Sequence, residues 1–469
     1  MGALYREGEN KIRPGVYRRH EKTTVSGIPG AINGVFAIPV HADFGPLGTV
    51  SVFEPDQIGE LKQLYGTGGT VDAALALFNG GATKVYIYRL GSGGTSASVD
   101  VKTADDAVIA AIATRYPTDS KFNITVKAKL DDATKKQILV YIDTALVETI
   151  EYEQSADEKT ALVEAVNGSS FYLTATAKEG TGEAVAVANA TLTGGTAPTV
   201  EVESYSEAFT AFEPFKWNML VLDTVDTAVH ALVQAYLTRI FEEGSLGVCA
   251  LGEPTTVSFE DRCNHAKAFN DEKIIYLGSG YEDADGNKVD GYYAIAKQAG
   301  IIGSLASSTS ATHTVIPGAV NTLEALKNSQ YEVAIKSGML LLSPNAEGQV
   351  WFDSGINTLV TLGEEQDEGW KKIRRTSTRF EMFDRIDRNV APLIGKVNCD
   401  DIGIGDVILR GQAILDAMVK EKKLKAGASF AEDTEHRRGS DYAHFVIAAD
   451  DLDSLEKIYL RYQFRFSAE

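Results

Sequence analysis

The residues whose types and spacing could perform chemistry lie in a few short, separate motifs. A glycine-rich run at 66–70 (Gly-Thr-Gly-Gly-Thr) precedes a helical pattern, where free backbone N–H groups can bind phosphate. It lacks the Lys-Ser/Thr pair of a P-loop, which favours a simple turn leading into the helix. The run at 283–287 (Asp-Ala-Asp-Gly-Asn) is similar to part of a calcium loop, but its glycine comes too early and no Glu stands at the twelfth position. A polar turn is therefore favoured over a weak cation site.

The remaining candidates do not combine into a site. Cys263 and His265 could supply two metal ligands, but no matched second pair follows them, and on a predicted helix a structural role is favoured. Ser96, in a Gly-Thr-Ser-Ala run, has no accompanying histidine motif, and the seven histidines form no evident constellation. The sequence thus predicts no catalytic, cofactor-binding or metal-binding residue.

Composition limits the class of protein. The chain has 469 residues, 44% of them hydrophobic and 23% charged, which suits a globular protein of about two to four domains. The net charge of −20 argues against broad nucleic-acid binding. Three widely spaced cysteines without a CxxC motif predict a reducing compartment and no disulfide framework. Because no apolar stretch approaches membrane-span length and the N-terminus has no apolar signal region, we expect a protein made in the cytoplasm and independent of membranes.

Strands that alternate with helices predict the fold class. We expect an α/β core, with a mixed sheet and helices on both faces, that carries an inserted β-rich domain and extended N- and C-terminal arms. The insert is predicted where the composition shifts toward Thr, Ala, Gly and Val, with an excess of acidic residues and no Trp. The predicted parts are an N-terminal arm at 1–25, the core at 26–90 and 205–365, the inserted outer domain at 91–204, a C-terminal α+β domain at 366–454 and a C-terminal strand arm at 455–469.

The end of the chain has the most regular pattern. From residue 458 to 466, large apolar residues alternate strictly with polar ones, which is typical of a half-buried β-strand. The apolar face consists of Ile458, Leu460, Tyr462, Phe464 and Phe466. Burial of each such side chain contributes roughly 1.5–3 kcal/mol, and ordering each residue costs roughly 1–2 kcal/mol, so the strand forms only where a sheet edge receives it. That sheet belongs either to the same domain or to another molecule.

The start of the chain predicts a second extended arm. Residues 1–25 are polar and net basic. Their strongest local signal is Pro14, Gly15, Val16 and Tyr17. Proline fixes φ and glycine relieves steric conflict, so the run predicts a turn that leads into an extended segment.

Two predicted helices in the last third of the chain are cationic. One contains Lys371, Lys372, Arg374 and Arg375, and the other, predicted over about 406–425, ends with Lys420, Lys422, Lys423 and Lys425. Cations near a helix C-terminus complement its dipole. A solvated or dipole-complementing helix is therefore the alternative to a binding surface.

Five segments, taken in order, suggest a family. They are 13–17 (Arg-Pro-Gly-Val-Tyr), 78–90 (Phe-Asn-Gly-Gly-Ala-Thr-Lys-Val-Tyr-Ile-Tyr-Arg-Leu), 291–303, 370–390 and 455–460. Their order and spacing resemble those of the tail sheath proteins of contractile bacteriophages and phage-tail-like bacteriocins. The resemblance covers most of the chain, and the insert is a region where such proteins vary.

The resemblance implies a structural subunit without a cofactor. Sheath subunits stack in rings, commonly six-fold, around an inner tail tube, together with baseplate and tail terminator proteins. Their arms lend strands to neighbouring subunits, and contraction of the metastable extended assembly drives the tube through a target envelope. Both arms are then candidates for intersubunit sheet, and the two cationic groups, that of 420–425 first, are candidates to face the tube. The implied location is the virion tail, assembled in the host bacterial cytoplasm.

Two other classes of protein stay open on the sequence. One is a hydrolase with a cryptic site on the α/β core, near His265 or His313. The other is a surface-layer-like structural protein, which the lack of a secretion signal disfavours. Electron microscopy of the expressed protein separates the three, because striated tubes indicate a sheath, sheets indicate a surface layer and discrete particles leave the enzyme open.

Overall fold

The computed structural model describes residues 33–465 together with the backbone of residues 3–4 and 17–18. Strand β1 (Ala3–Leu4) pairs in parallel with β2 (Tyr17–Arg18). The chain divides into two compact units. Ile32–Glu381 and Asp451–Glu469 form the core unit, and Met1–Ala31 and Met382–Asp450 form the smaller unit.

The core unit begins with a short α/β segment. Its elements are β3 (Val35–Val40), β4 (Val50–Phe53), a 3₁₀ turn (Pro55–Gln57), α1 (Ile58–Tyr65), α2 (Val71–Gly80) and β5 (Lys84–Arg89). Helix α2 ends as its glycine pair predicts, because Gly81 adopts φ 111 at the C-cap. Asp56 lies inside the 3₁₀ turn that precedes α1. Pro55 starts that turn because its fixed φ suits a first helical position.

A β-rich module follows, inserted between β5 and the next core strand. Its elements are β6 (Ser98–Lys102), β7 (Val108–Thr114), β8 (Phe122–Ala128), β9 (Lys135–Ile142), β10 (Ala145–Glu153), α3 (Lys159–Ser169), β11 (Leu173–Ala177) and β12 (Val187–Thr191). They form two sheets, ordered β10-β9-β8-β12 and β11-β7-β6, around a core that includes Phe122, Ile138 and Leu162. The module's two connections to the core are themselves paired, by antiparallel bridges that join Ser92 to Thr199 and Thr95 to Thr196.

Two core residues fasten this module to the central sheet. The Phe44 ring packs on Tyr116 of the module, with ring centroids 5.2 Å apart. Arg89, at the end of β5, is buried and donates to the carbonyl oxygens of Gly45 (2.7 Å) and Pro117 (3.0 Å). Burial lowers the pKa of Arg89 to about 10. The guanidinium is therefore a buried donor that bridges two backbone segments.

The second part of the core unit completes the sheet. Its elements are α4 (Val202–Phe212), β13 (Met219–Val221), α5 (Thr227–Glu242), β14 (Val248–Gly252), α6 (Phe259–Phe269), β15 (Ile274–Leu277), β16 (Tyr281–Asp283), β17 (Lys288–Val289), α7 (Gly291–Ser304), β18 (Ala319–Thr322), α8 (Asn328–Lys336), β19 (Met339–Leu340), β20 (Leu342–Pro344) and β21 (Val350–Phe352). The sheet order is β19-β15-β14-β13-β3-β5-β4, parallel except for β4. One face packs on α2 and α7, and the other packs on α4, α5 and α6. The predicted mixed α/β sheet with helices on both faces is confirmed.

Helices α2 and α7 approach so closely that only glycine fits at their contact. A Cβ atom added to Gly300 would lie 2.6 Å from the Leu77 carbonyl oxygen and 3.0 Å from the Gly80 Cα atom. A Cβ atom on Gly80 would lie 2.6 Å from the Lys297 carbonyl oxygen. Two of the segments that carried the family resemblance, 78–90 and 291–303, therefore touch each other through backbone atoms.

The smaller unit is α+β. Its elements are the second half of α9 (Ile373–Val390), a 3₁₀ turn (Ala391–Leu393), α10 (Asp401–Lys420), β22 (Ser429–Glu432) and β23 (Phe445–Ala448). Its core includes Ile414, Leu415 and Met418 of α10. Among the helices of residues 33–465, none has both the length and the apolar character of a membrane span.

Candidate functional site

The C-terminal segment, residues 452–465, forms no strand within the described chain. Its apolar residues are mostly exposed to solvent, with exposed fractions of 69% for Ile458, 70% for Leu460, 75% for Tyr462 and 82% for Phe464. Phe466 lies outside the described residues. No strand of residues 33–465 pairs with this segment. Which sheet the segment would join stays a prediction.

Little of the predicted N-terminal arm lies within the described residues. Tyr17 lies in β2, where its partner in register is Ala3. Pro14, Gly15 and Val16 lie outside the described part of the chain. The role of this arm stays a prediction.

Directly before the exposed segment, three carboxylates pair with cations of the helix region 372–379. Arg375 binds Asp451 with two parallel hydrogen bonds, of 2.8 Å from Nε and 2.6 Å from Nη2. The Lys372 ammonium lies 2.7 Å from Asp453 Oδ2 and 2.9 Å from Glu456 Oε2. Lys372 and Arg375, proposed from the sequence as tube-facing cations, are therefore occupied by the chain's own carboxylates in this structure.

These pairs change the pKa values of the carboxylates. Burial alone would raise the pKa of Asp451, but hydrogen bonds from Arg375 and Arg379 outweigh it and leave that pKa lowered. Burial likewise raises the pKa of Glu456, but the hydrogen bond and the charge of Lys372, together with hydrogen bonds from Ser454 and Thr312, outweigh burial and leave that pKa lowered. Both side chains are therefore ionised at neutral pH, as ion pairing requires.

Of the first-choice cationic group, only Lys420 lies on α10, and the other three lysines follow the helix. The helix ends at Lys420 because Lys422 adopts φ 58, and the N–H groups of Lys422 and Lys423 bond to the carbonyls of Val419 and Met418. This is a Schellman ending, which is why the helix stops short of the predicted residue 425. Lys423 is buried and lies 2.7 Å from Glu421, whereas Lys420, Lys422 and Lys425 are exposed.

The hairpin of β22 and β23 offers free sheet edges. The two strands pair with each other, in register from Ser429–Ala448 to Glu432–Phe445, and no third strand joins them within the described residues. Val446 and Ile447 on β23 are 49% and 37% exposed. A two-stranded sheet of this kind is marginal in water and open to a further strand.

The glycine-rich run at 66–70 directs its backbone donors to a carboxylate of its own chain. The Gly68 N–H donates to Asp43 Oδ2 at 3.0 Å, and the Thr70 N–H donates to the His41 carbonyl oxygen at 3.0 Å. An acidic partner in this place repels phosphate. The turn leading into the helix is confirmed.

The run at 283–287 is the tight turn between β16 and β17. Asp283 accepts hydrogen bonds from the Asp285 N–H at 3.0 Å and from the Asn287 N–H at 2.8 Å. Its pKa is lowered chiefly by the hydrogen bond from the Asn287 side chain. The carboxylate therefore serves the turn, and the favoured polar turn is confirmed.

Sequence reasoning missed two pairs, each of a buried carboxylate and a partly exposed histidine, at the carboxyl edge of the central sheet. Asp223, just after β13, accepts from Tyr205 OH at 2.9 Å and from Thr70, and lies 2.9 Å from His41 Nδ1. Glu253, just after β14, lies 2.7 Å from His265 Nδ1. Ligands of open α/β sheets bind at this edge, so the position of acidic residues directly after parallel strands was the available signal.

A cavity of about 100 Å³ at the amino ends of β13 and β14 is lined by Trp217, Tyr236 and Leu246 among others. Neither carboxylate–histidine pair lines it. His313 stacks on Trp351 with ring centroids 4.0 Å apart. Among the described residues, no group of three or more His, Cys, Asp or Glu side chains is arranged to hold a metal ion.

Residues 199–358 match the family model of the phage tail sheath protein central domain. No curated protein sequence matches the chain.

Solved structures of sheath proteins share the fold over nearly the whole chain. The sheath tail protein from Desulfitobacterium hafniense is 18% identical, with a TM-score of 0.71 over 93% of this chain and 100% of its own. The sheath tail protein from Listeria innocua is 17% identical, with a TM-score of 0.68 over 90% of this chain and 96% of its own. The contracted helical sheath of the anti-feeding prophage is 10% identical, with a TM-score of 0.53 over 97% of this chain and 99% of its own. The chain thus has the fold of contractile sheaths of phage tails and related injection systems.

Proposed function

We propose that this chain is the subunit of a contractile tail sheath, which polymerises around an inner tube and contracts to drive that tube through a target cell envelope. The observation that carries the proposal is the exposed, alternating C-terminal segment on a chain that has the sheath fold. Main-chain hydrogen bonds to a neighbouring sheet supply affinity in such strand addition, and alternate side chains supply register. The segment of one subunit therefore completes a sheet of another.

The β22–β23 hairpin of a neighbouring subunit is the acceptor that fits best. It offers free edges, and its exposed Val446 and Ile447 provide an apolar surface for the incoming side chains. The N-terminal arm, with Pro14, Gly15, Val16 and Tyr17, would join an intersubunit sheet in the same way. Each added strand also covers an edge that would otherwise favour aggregation.

Deleting residues 457–469 tests the arm while sparing the ion pairs of Glu456. The truncated chain should stay soluble and folded by circular dichroism but form no tubes in electron micrographs. Two point variants make the test specific to one strand face. Leu460→Ser with Tyr462→Ser should block assembly, whereas Arg461→Ser with Gln463→Ser, on the opposite face, should not. Sheath tubes formed by the truncated chain would refute this role of the arm.

The inner tube is the second proposed partner, contacted by Lys420, Lys422 and Lys425. Exposed ammonium groups give weak, screened ion pairs, which suit a contact that must be surrendered during contraction. Lys371 and Arg374 form a second candidate group. Lys423 is left out because Glu421 already binds it in a buried position.

Charge reversal of Lys420, Lys422 and Lys425 to Glu should abolish extended assembly that depends on the tube, while the fold is retained. Reversal of Lys267, on α6 of the core unit, is the matched control. Extended assembly that proceeds unchanged with the three reversed lysines would reject the contact.

The energy for contraction would come from the assembly itself. If the extended array is metastable and the contracted contacts are lower in free energy, no nucleotide is needed, which agrees with the acidic partner of the run at 66–70. Purified subunits should then assemble, if at all, into tubes of contracted length. If purified subunits formed only tubes of extended length, the proposal that the extended assembly stores energy would be wrong.

The proposal also includes stacked rings with six-fold symmetry and contacts with baseplate and tail terminator proteins. The assembled sheath would belong to the virion tail, after assembly in the bacterial cytoplasm. The solved relatives support assembly, since they include a helical sheath and a baseplate of the anti-feeding prophage. An enzymatic function finds no support in these matches, which are to structural sheath proteins.

A further inference from the structure

The root of the C-terminal arm, residues 451–456, is held on the core unit almost entirely by charge. Arg375 binds Asp451 in a bidentate pair, and Arg379 Nε donates to the same carboxylate at 3.2 Å. Lys372 bridges Asp453 and Glu456. We call these three carboxylates and three cations the ionic clasp.

Hydroxyl groups fix the last member of the clasp. Ser310 and Thr312 donate to Glu456 Oε1 at 3.2 and 3.1 Å, and Ser454 donates to the same oxygen at 3.0 Å. Exposure changes abruptly after this residue, because the Glu456 side chain is 21% exposed whereas Ile458 is 69% exposed. The arm therefore leaves the core unit at one defined residue.

Apolar burial contributes little to this attachment. The root contains two apolar residues, of which Leu455 is 81% exposed and Leu452 is half-buried. The pairs of Lys372 with Asp453 and Glu456 are partly open to water, with side chains 21–32% exposed, so salt screens them and they exchange readily. The Asp451 side chain is only 7% exposed, and the bidentate geometry of its pair with Arg375 adds specificity. An attachment of this composition can open without any disturbance of the apolar core.

We propose that the ionic clasp is a releasable anchor that sets the free length of the C-terminal arm. With the clasp closed, the arm begins at Lys457, and with the clasp open it begins six residues earlier. At roughly 3.3 Å per extended residue, release adds on the order of 20 Å to the distance that the arm can bridge. This inference rests on the proposed function, in which subunits stay connected by their arms while they change neighbours.

Cleavage by a glutamate-specific protease measures how readily the ionic clasp opens in the unassembled full-length chain. The result therefore does not depend on whether the chain forms a sheath. Glu456 cannot enter the active site of the protease while it is bound by Lys372, Ser310 and Thr312. The rate of release of residues 457–469 is measured by mass spectrometry and divided by the rate of cleavage at Glu435, an exposed site in the β22–β23 loop.

The double variant Lys372→Gln with Arg375→Gln should raise this ratio at least about tenfold, since it removes charge-assisted hydrogen bonds from the closed state. Lys371→Gln is the matched control, because Lys371 pairs with Glu368 at 3.1 Å, outside the clasp, and its ratio should stay unchanged. A double variant that keeps the wild-type ratio overturns the proposal.

If the double variant does not fold, the salt dependence of the cleavage ratio in the wild-type chain tests the proposal by itself. Raising sodium chloride from 0.05 to 1 M (about a fourfold to fivefold shorter screening length) should raise the ratio several-fold. A ratio independent of salt overturns the proposal, because an anchor held by charge must weaken when charge is screened.

Discussion

Substitution of Gly300 by alanine should destabilise the core unit through the contact of α2 with α7. The added Cβ atom would lie 2.6 Å from the Leu77 carbonyl oxygen and 3.0 Å from the Gly80 Cα atom. Both are backbone atoms of a helix, so relief requires that α2 moves as a whole. Overpacking of this kind costs roughly 1–3 kcal/mol, and the better helix propensity of alanine returns about 1 kcal/mol. We expect a net loss of up to about 2 kcal/mol in the free energy of unfolding.

Urea unfolding followed by tryptophan fluorescence is a suitable assay. Trp217, Trp351 and Trp370, the three tryptophans of the chain, all belong to the core unit, so the signal reports on the unit that contains the contact. Gly59→Ala is the matched control, because Gly59 is an exposed residue of α1 and a Cβ atom there would meet nothing within 4 Å.

The control should be neutral or more stable by up to about 1 kcal/mol, as helix propensity requires. The reasoning is refuted if Gly300→Ala shifts the urea midpoint in the same direction as Gly59→Ala. That result would mean that α2 and α7 adjust their separation freely, and that the close approach is not needed for the fold.

Two further predictions concern the ionic partners of buried carboxylates. The pKa of His41 is raised, chiefly by the hydrogen bond to Asp223. The stability that this pair provides is therefore fully present below the unfolded pKa of about 6.5 and is lost as pH rises through the higher folded pKa. In urea unfolding, the free energy of unfolding of His41→Asn should differ from that of the wild type by less than about 1 kcal/mol, since His41 is more than a third exposed. A difference that grows above pH 8 would contradict this assignment of the pKa shift. In the inserted module, Lys136→Met leaves the fully buried Glu158 without its cation and should cost about 3–5 kcal/mol in a circular dichroism melt. Lys129→Met, which breaks the more exposed pair with Glu151, should destabilise the module much less, because solvent screens an exposed pair. Equal losses from the two variants would rule out a special role for the buried pair.

The sequence predicted the elements whose signals are local. Strand β5 (Lys84–Arg89) and helix α2 (Val71–Gly80) follow from apolar periodicity and from the glycines that end the helix. In the inserted module, the apolar segments 138–142 and 171–177 indicate β9 and β11, but β6, β7, β8, β10, β12 and α3 were not predicted. Strands β6 and β8 do alternate, through Val99 and Val101 and through Phe122, Ile124 and Val126, so a local signal was missed there. Elements β7, β12 and α3 are rich in Ala and polar residues, so their periodicity is weak, and long-range pairing decides their conformation.

Contacts between distant residues could not be predicted. Arg375 and Asp451 are 76 residues apart, and His41 and Asp223 are 182 residues apart, so no local pattern joins them. The alternation at 458–466 shows which side chains share a face, but not which surface will cover them. A pattern of this kind specifies a strand and leaves its partner open.

The bridges at Ser92–Thr199 and Thr95–Thr196 bear on how a chain of this type can diversify. Because the polypeptide enters and leaves the inserted module through adjacent antiparallel partners, the two ends stand only about 4.5–5.5 Å apart. A short loop could close that gap without changing the strand order of the central sheet. The inserted module can therefore be exchanged for another domain, by evolution or by protein design, while the central sheet stays the same.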